Sequence, residues 1–489
     1  MLPLTWDEGE YIDRAGDIVS GVPPFEWKAV TYSEGHPAGN LLVIAAGRFL
    51  TRDIVAFFPG IITDKISWRF GTMLFVATAL GAVFCRVCHE YDISTAIFSL
   101  TAALLFPRFF AHAHIAASDA PLAAATLLAW AMAGGKTWSF GHCALFGVCL
   151  GVTMSMKFTG LITVSVLLTL QWFGIGWRFD VGEWRWNITR IALCLTTIFA
   201  ASALFCVMNP PLWENPVTSL FTFVRLNLFR DNYNVSTMFL GQMYDLHRSL
   251  PFYNTIVWAA ITTPVGFLPL LVIGIVYSFY KRRNGGLLLI AAAFLLVRSL
   301  PHTPPHDGVR LFLPAFPTLA ILIGIGAGQV WNVIAHRISG YNKILARTAI
   351  AVIWLSGVWN LVTFAPQWLS YYNLTIGGLN GSSNVGMERT YWWDTLDSET
   401  LNWINTNTPP NERIAFAPFS RKTIDLYRNW GYLKPETTTN IAAARYYVIQ
   451  FRGGALFPSD REIIKNCSPV YTKQLHGVVL LAIYEVRDM

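Results

Sequence analysis

The sequence predicts an α-helical polytopic membrane protein of about ten transmembrane helices, with a small extracytoplasmic α/β domain at its C-terminal end. Three observations predict it. Charged residues make up 13% of the 489-residue chain, roughly half of the ~25% usual in soluble domains. Apolar stretches of spanning length recur between residues 69 and 364, and the mean hydropathy is +0.43. After residue 365 the composition shifts to Pro-rich turns and short β-branched and aromatic runs.

On this reading residues 1–68 form an extracytoplasmic first loop, 69–364 the transmembrane helical domain and 365–489 the extracytoplasmic α/β domain. Within the first loop, 39–60 is apolar but interrupted by Arg48, Arg52 and Asp53. That pattern suits a helix lying in the membrane interface better than one crossing it. The spans follow at 69–88, 93–111, 119–135, 141–157, 160–177, 190–208, 256–280, 285–300, 310–332 and 346–364. In the tail, "LNWINTNTPPNERIAFAP" reads as helix, turn and strand, while "RYYVIQF" and "VVLLAIYEV" read as strands. No internal repeat stands out, which weighs against a transporter built from duplicated halves.

Basic residues set the orientation. If 69–88 runs inward, the inner loops hold Arg86, Lys136, Arg178, Arg185, Lys281, Arg282, Arg283, Arg337, Lys343 and Arg347, as the positive-inside rule requires. The opening acidic cluster, Asp119, Lys157, "PHTPPHDGVR" and everything after 365 then share the outer face. No span precedes Asp7, so this orientation expects either that the sequence starts late and lacks one helix, the reading preferred here, or that the short N-terminus crosses unaided. Residues 1–21 carry neither the basic nor the apolar region of a signal peptide.

The net charge of +7 is scattered and marks inner loops rather than a nucleic-acid surface. Of the seven cysteines, only Cys467 lies in a polar region; the others read as small core hydrophobes, and no disulfide framework is implied.

Several outer-face motifs carry chemistry. "TWDEGEYIDRAGDIVSG" holds five carboxylates in seventeen residues, led by Asp7 and Glu8. They suit either a helix N-terminus or a base that takes a proton from an acceptor nucleophile. Asp119 opens a span in "SDAPL", with Ser118 as its expected N-cap; it reads as a cap region or as a second acid across a cavity. Lys157 in "SMKFTG" either snorkels or grips a lipid phosphate. "SLPHTPPHDGVRLFLPAFP" crowds His302, His306, Asp307 and Arg310 at the rim. Arg310 at a helix head opposes the macrodipole, a conflict that a bound anion would relieve, and its fork suits phosphate. The two histidines with Asp307 are candidates for a divalent metal ion, although Pro304 and Pro305 preclude a regular helical presentation. "YSEGHPAGNLL" adds Glu34 and His36 on the same face, as a polar turn or as part of the cavity.

Taken in order, "DEGEYIDRAGDIVSG", "HPAGNLL", "SDAPL", "MKFTG", "NPPLW", "RLFLPAFPTLA" and "YYNLTIGG" resemble the motifs of the C-type-fold integral-membrane glycosyltransferases. The branch they resemble holds the protein O-mannosyltransferases and the aminoarabinose transferases. The resemblance runs to about residue 395. It implies a GT-C-like fold and a polyprenyl-phosphate-linked sugar donor. It also implies inverting transfer to a protein hydroxyl, lipid or glycan at the extracytoplasmic face of a multi-pass membrane protein, in a bacterial inner or plasma membrane. By the same resemblance Asp7, with Glu8 beside it, is the catalytic base or the acid that orients the acceptor, Asp119 the second acceptor-loop acid, and Lys157 and Arg310 the donor-phosphate contacts. Ala38 replaces the pattern's second proline and Asn40 stands near its lysine, which leaves the acceptor open. The rival reading is a transporter or flippase for a lipid-linked sugar, which would place its acids near the midplane rather than at one rim.

Overall fold

The computed structural model describes residues 2–20, 36–57, 63–133, 138–173, 188–228, 235–301, 303, 305 and 308–486. The protein is mostly helical, with one small sheet domain. Helices α1 (Glu8–Ser20) and α2 (Gly39–Phe57) precede the 27-residue α3 (Asp64–Glu90). Next come α4 (Ile93–Leu104) and α5 (Pro107–Ala113), one apolar run bent by 78°. The bend has a local cause: Pro107 has no N–H to continue a helix, and it holds Phe106 extended at φ −83°, ψ 105°. Helices α6 (Asp119–Met132), α7 (Phe140–Met156), α8 (Gly160–Trp172) and α9 (Ile188–Val207) follow.

Short α10 (Pro211–Glu214), α11 (Pro216–Leu228) and a hairpin of β1 (Thr237–Phe239) and β2 (Gln242–Tyr244) lead to α12 (Asn254–Thr262) and α13 (Phe267–Tyr280). The predicted span 256–280 is thus two helices, broken where Thr263 is extended ahead of Pro264. Helices α14 (Gly285–Ser299), α15 (Ala315–Arg337) and α16 (Gly340–Thr363) close the helical part.

Within the described residues, each of the ten predicted stretches falls on these helices. By length and composition alone, α3, α9, α15 and α16 among the described residues can each cross a membrane, and the bent α4–α5 pair makes a fifth. Helices α6, α7, α8, α13 and α14 are apolar but shorter, at 10–17 residues. Small residues let the helices approach closely. A Cβ on Gly71 of α3 would lie 1.9 Å from the Val43 carbonyl oxygen of α2, and one on Gly47 would lie 2.1 Å from the Gly71 nitrogen. Such contact is how helices gain packing energy where lipid is as apolar as leucine.

After α17 (Gly378–Asn384) and α18 (Ser398–Asn407), the chain builds β3 (Arg413–Ala417), α19 (Arg421–Asn429), β4 (Glu436–Thr437), β5 (Tyr446–Gln450), α20 (Pro458–Asn466), β6 (Tyr471–Leu475) and β7 (Val478–Glu485). The five strands run in the order β4-β3-β5-β7-β6, parallel in the first three and antiparallel at β7 and β6. Strand alternation feeds two cores. Tyr446 and Val448 join the main core, whereas Tyr447 and Ile449 pack with Ile463 and Ile464 of α20.

The "YYNLTIGG" turn ties this domain to the helices. Asn373 donates from its side chain to the Ala260 and Thr263 carbonyls at 2.7 and 2.6 Å, which caps the α12–α13 break. Its match to a glycosylation sequon is therefore a buried structural asparagine, 2% exposed.

Candidate active site

The site grows from the N-terminal turn. Glu8 is wholly buried, and every direction around its carboxylate is filled. Arg69 of α3 donates to both oxygens at 2.7 Å, Thr5 donates its backbone N–H at 2.9 Å, and the Ala116 N–H reaches it at 2.9 Å. Arg69 also donates to the Leu2 and Pro3 carbonyls. One buried, bidentate pair thereby fixes the first turn of α1 against α3 and against the loop before α6.

Asp7, one residue earlier, faces another way. Its carboxylate accepts from Arg310, and its side chain is 27% exposed. The Arg310 Nε donates to Asp119 at 2.7 Å, and Lys157 Nζ donates to the other Asp119 oxygen at 2.5 Å. Asp119 is 1% exposed, so both of its oxygens are spent on cations. Two carboxylates and two cations from α1's N-terminus, α6, the end of α7 and the turn before α15 form one cluster, drawn from positions 303 residues apart.

Further side chains frame it. The face of Trp392 lies 4.1 Å from the Arg310 guanidinium. His112 of α5 exchanges a hydrogen bond with the Tyr391 hydroxyl at 2.6 Å. The Tyr11 hydroxyl pairs with that of Ser118 at 3.2 Å. Burial, helped by the nearby Asp7 charge, lifts the Tyr11 pKa well above that of an ordinary phenol. Behind these, the Asn209 side chain accepts from the Ala38 N–H at 3.0 Å and donates to Ser155 at 3.3 Å. This joins the "HPAGN" and "NPPLW" motifs to the helix end that carries Lys157. Asn40 is fully buried, with neither amide atom hydrogen-bonded.

The structure therefore brings Asp7, Asp119, Lys157 and Arg310 together and sets Glu8 apart, in its own pair with Arg69. His36 stands edge-on to Tyr11, with ring centroids 6.3 Å apart. Glu34, His302, His306 and Asp307 lie outside the described residues. Among the described residues no three His, Cys, Asp or Glu side chains converge to hold a metal ion.

Two local expectations are corrected. Ser118 makes no cap hydrogen bond, because its hydroxyl turns to Tyr11. Arg310 is not at the head of α15 but in a preceding turn, Arg310–Phe312. Pro314 and Pro317 lack N–H groups and fit only at a helix start, so α15 begins after the first of them. Reasoning from the sequence missed Trp392, His112 and the Arg69 partner of Glu8. The "HAHIAASD" run beside Asp119 was the one available hint for His112.

No protein-family model matches the sequence, and no curated protein sequence does. Solved structures do. The aminoarabinose transferase ArnT from Cupriavidus metallidurans, in the apo state, aligns at 14% identity over 99% of this chain and 94% of its own, with a TM-score of 0.51. ArnT bound to undecaprenyl phosphate aligns over the same shares at 15% identity and a TM-score of 0.46. The Archaeoglobus fulgidus oligosaccharyltransferase in its apo form aligns at 11% identity over 92% of this chain and 66% of its own, with a TM-score of 0.49. At such identities the likeness is one of fold. The chain is an integral membrane protein with the fold of the C-type membrane glycosyltransferases.

Proposed function

We propose that the protein is an inverting glycosyltransferase that moves a sugar from a polyprenyl-phosphate carrier to an acceptor hydroxyl at the extracytoplasmic face of the membrane. The observation that carries this reading is the cluster of Asp7, Asp119, Lys157 and Arg310. In the proposed reaction an acceptor oxygen attacks the anomeric carbon from the side opposite the carrier phosphate. The new C–O bond forms as the bond to the phosphate oxygen breaks, which inverts the centre.

The leaving group is already a stable phosphate, so it needs cations rather than a proton donor. Arg310, with its fork, and Lys157, as a point charge, would supply them. Asp7 is the most exposed of the four side chains and would accept the acceptor's proton. Asp119, closed between the two cations, would hold them at a fixed separation. Glu8 would act as the strut that aims Asp7. The outer-face assignment is supported by the helix ends: Asp119 starts α6, Lys157 ends α7 and Arg310 precedes α15, whereas Lys281, Arg282 and Arg283 lie at the far end of α13.

The test is incubation of the purified protein with polyprenyl-phosphate sugars and hydroxyl acceptors, read as a mass shift on the acceptor. Transfer by the wild type and none by Arg310→Leu supports the reading. Equal transfer by both sinks it.

A further inference from the structure

The run "TYWWDTL" (390–396) reads in the sequence as a turn or an interfacial aromatic belt. In the structure it sits against the site. Trp392 is fully buried, and its ring face lies 4.1 Å from the Arg310 guanidinium. Its carbonyl accepts the N–H of Trp6 at 3.2 Å, one residue before Asp7. A single residue thus touches Arg310 and the residue that precedes its partner Asp7. The next residue, Trp393, has φ +56°, in the left-handed region that bulky side chains avoid. That backbone turn sends two adjacent indoles to two jobs. The Trp393 ring packs on Trp6 at 4.5 Å between centroids, with the Arg452 guanidinium 3.9 Å from its own centroid.

Strained backbone of this kind persists only where its surroundings over-determine it. Here the surroundings are Trp6 and Arg452, two residues past the end of β5. Neither indole N–H makes a hydrogen bond. The rings are held by their faces and edges, so a phenyl ring in place of Trp392 would forfeit no polar contact.

We propose that Trp392 is a positioning residue, held by the left-handed Trp393, through which the small outer domain sets the geometry of Arg310 against Asp7. The consequence for lipid-phosphate binding rests on the transferase reading above; the positioning itself does not. It is tested first without function, by phenylglyoxal labelling of Arg310 followed by mass spectrometry of its peptide. Trp392→Leu removes the aromatic face and should speed labelling about tenfold, while Trp392→Phe, which keeps a face, should stay within about threefold of wild type. Equal labelling of the Leu variant and wild type overturns the proposal, and so does equal acceleration in the Leu and Phe variants, which would mean packing alone.

The second arm measures binding of undecaprenyl phosphate in detergent micelles. Affinity should fall about tenfold in the Leu variant and recover in the Phe variant. A wild type that binds no lipid phosphate overturns the transferase reading and leaves the labelling result to decide the positioning. A third pair isolates the backbone. Trp393→Gly and Trp393→Ala delete the same ring, but only glycine tolerates the left-handed turn without cost. The glycine variant should therefore label at Arg310 several-fold more slowly than the alanine one. The reverse order counts against the turn.

Discussion

Asp7 and Glu8 are adjacent, carry the same charge and each pair with an arginine, yet their surroundings differ in kind. Glu8 is sealed: five donor groups surround it and no face is left for a substrate. Asp7 is partly open and shares Arg310 with Asp119. A sealed pair fixes the backbone. An open one has a cation that an incoming anion can borrow. Adjacent residues on a forming helix point about 100° apart, and that rotation turns Glu8 to Arg69 and Asp7 to Arg310.

The largest expected effect tests the open member. Asp7→Asn should lower sugar transfer by about 10²–10⁴-fold, the range for a lost general base, while the thermal midpoint in detergent stays where it is. Undiminished transfer would remove Asp7 from the chemistry. Glu8→Ala should do the opposite. Stranding Arg69 in the interior should cost about 3–5 kcal/mol of stability, read as a lowered unfolding midpoint and poor recovery from detergent. A stable Glu8→Ala protein that has lost only transfer would reverse the assignment of strut and base. A smaller effect is expected at the other cation. Lys157→Met leaves Asp119 paired with Arg310, so the fold should hold while the donor KM rises roughly tenfold, the worth of one charged hydrogen bond. An unchanged KM would make Lys157 a structural partner of Asp119 only.

The comparison also explains what the sequence could reveal. Asp119 and Lys157 lie at facing ends of neighbouring apolar helices, and the hydropathy pattern alone places both at one rim. The strands of the sheet domain were legible from composition: "RYYVIQF" and "VVLLAIYEV" are rich in β-branched and aromatic residues and became β5 and β7. The split between Asp7 and Glu8 was not legible, because it depends on Arg69, some sixty positions away, reaching Glu8 first. Nor was Trp392, whose ring meets Arg310 from a position 82 residues further along the chain. Proline breaks were visible as letters, but a proline marks where a helix is interrupted and not the angle between its halves, 78° at Pro107.

Another carboxylate, Asp394, sharpens the contrast from the opposite side, since it has no cation in contact. Asp394 is wholly buried, and neither carboxylate oxygen is hydrogen-bonded. Burial pushes its pKa up to about 7, only partly offset by its own backbone amide and then by Arg108. Asp397, three residues on, is instead held below the usual carboxylate range; there Lys473 at 2.8 Å and the Thr400 N–H at 3.0 Å outweigh desolvation. The signs follow by linkage. Between about pH 4 and 7 the folded protein keeps a proton on Asp394 that the unfolded chain has released, so stability falls as pH rises through that window. One such group contributes a slope of at most about 1.4 kcal/mol per pH unit, flat above and below. Asp394→Asn, which stays neutral, should flatten that slope in thermal unfolding measured across the window. A slope that survives the substitution would show that Asp394 is ionised in the fold, and that an unpaired carboxylate beside the Trp392–Trp393 turn is tolerated without a proton.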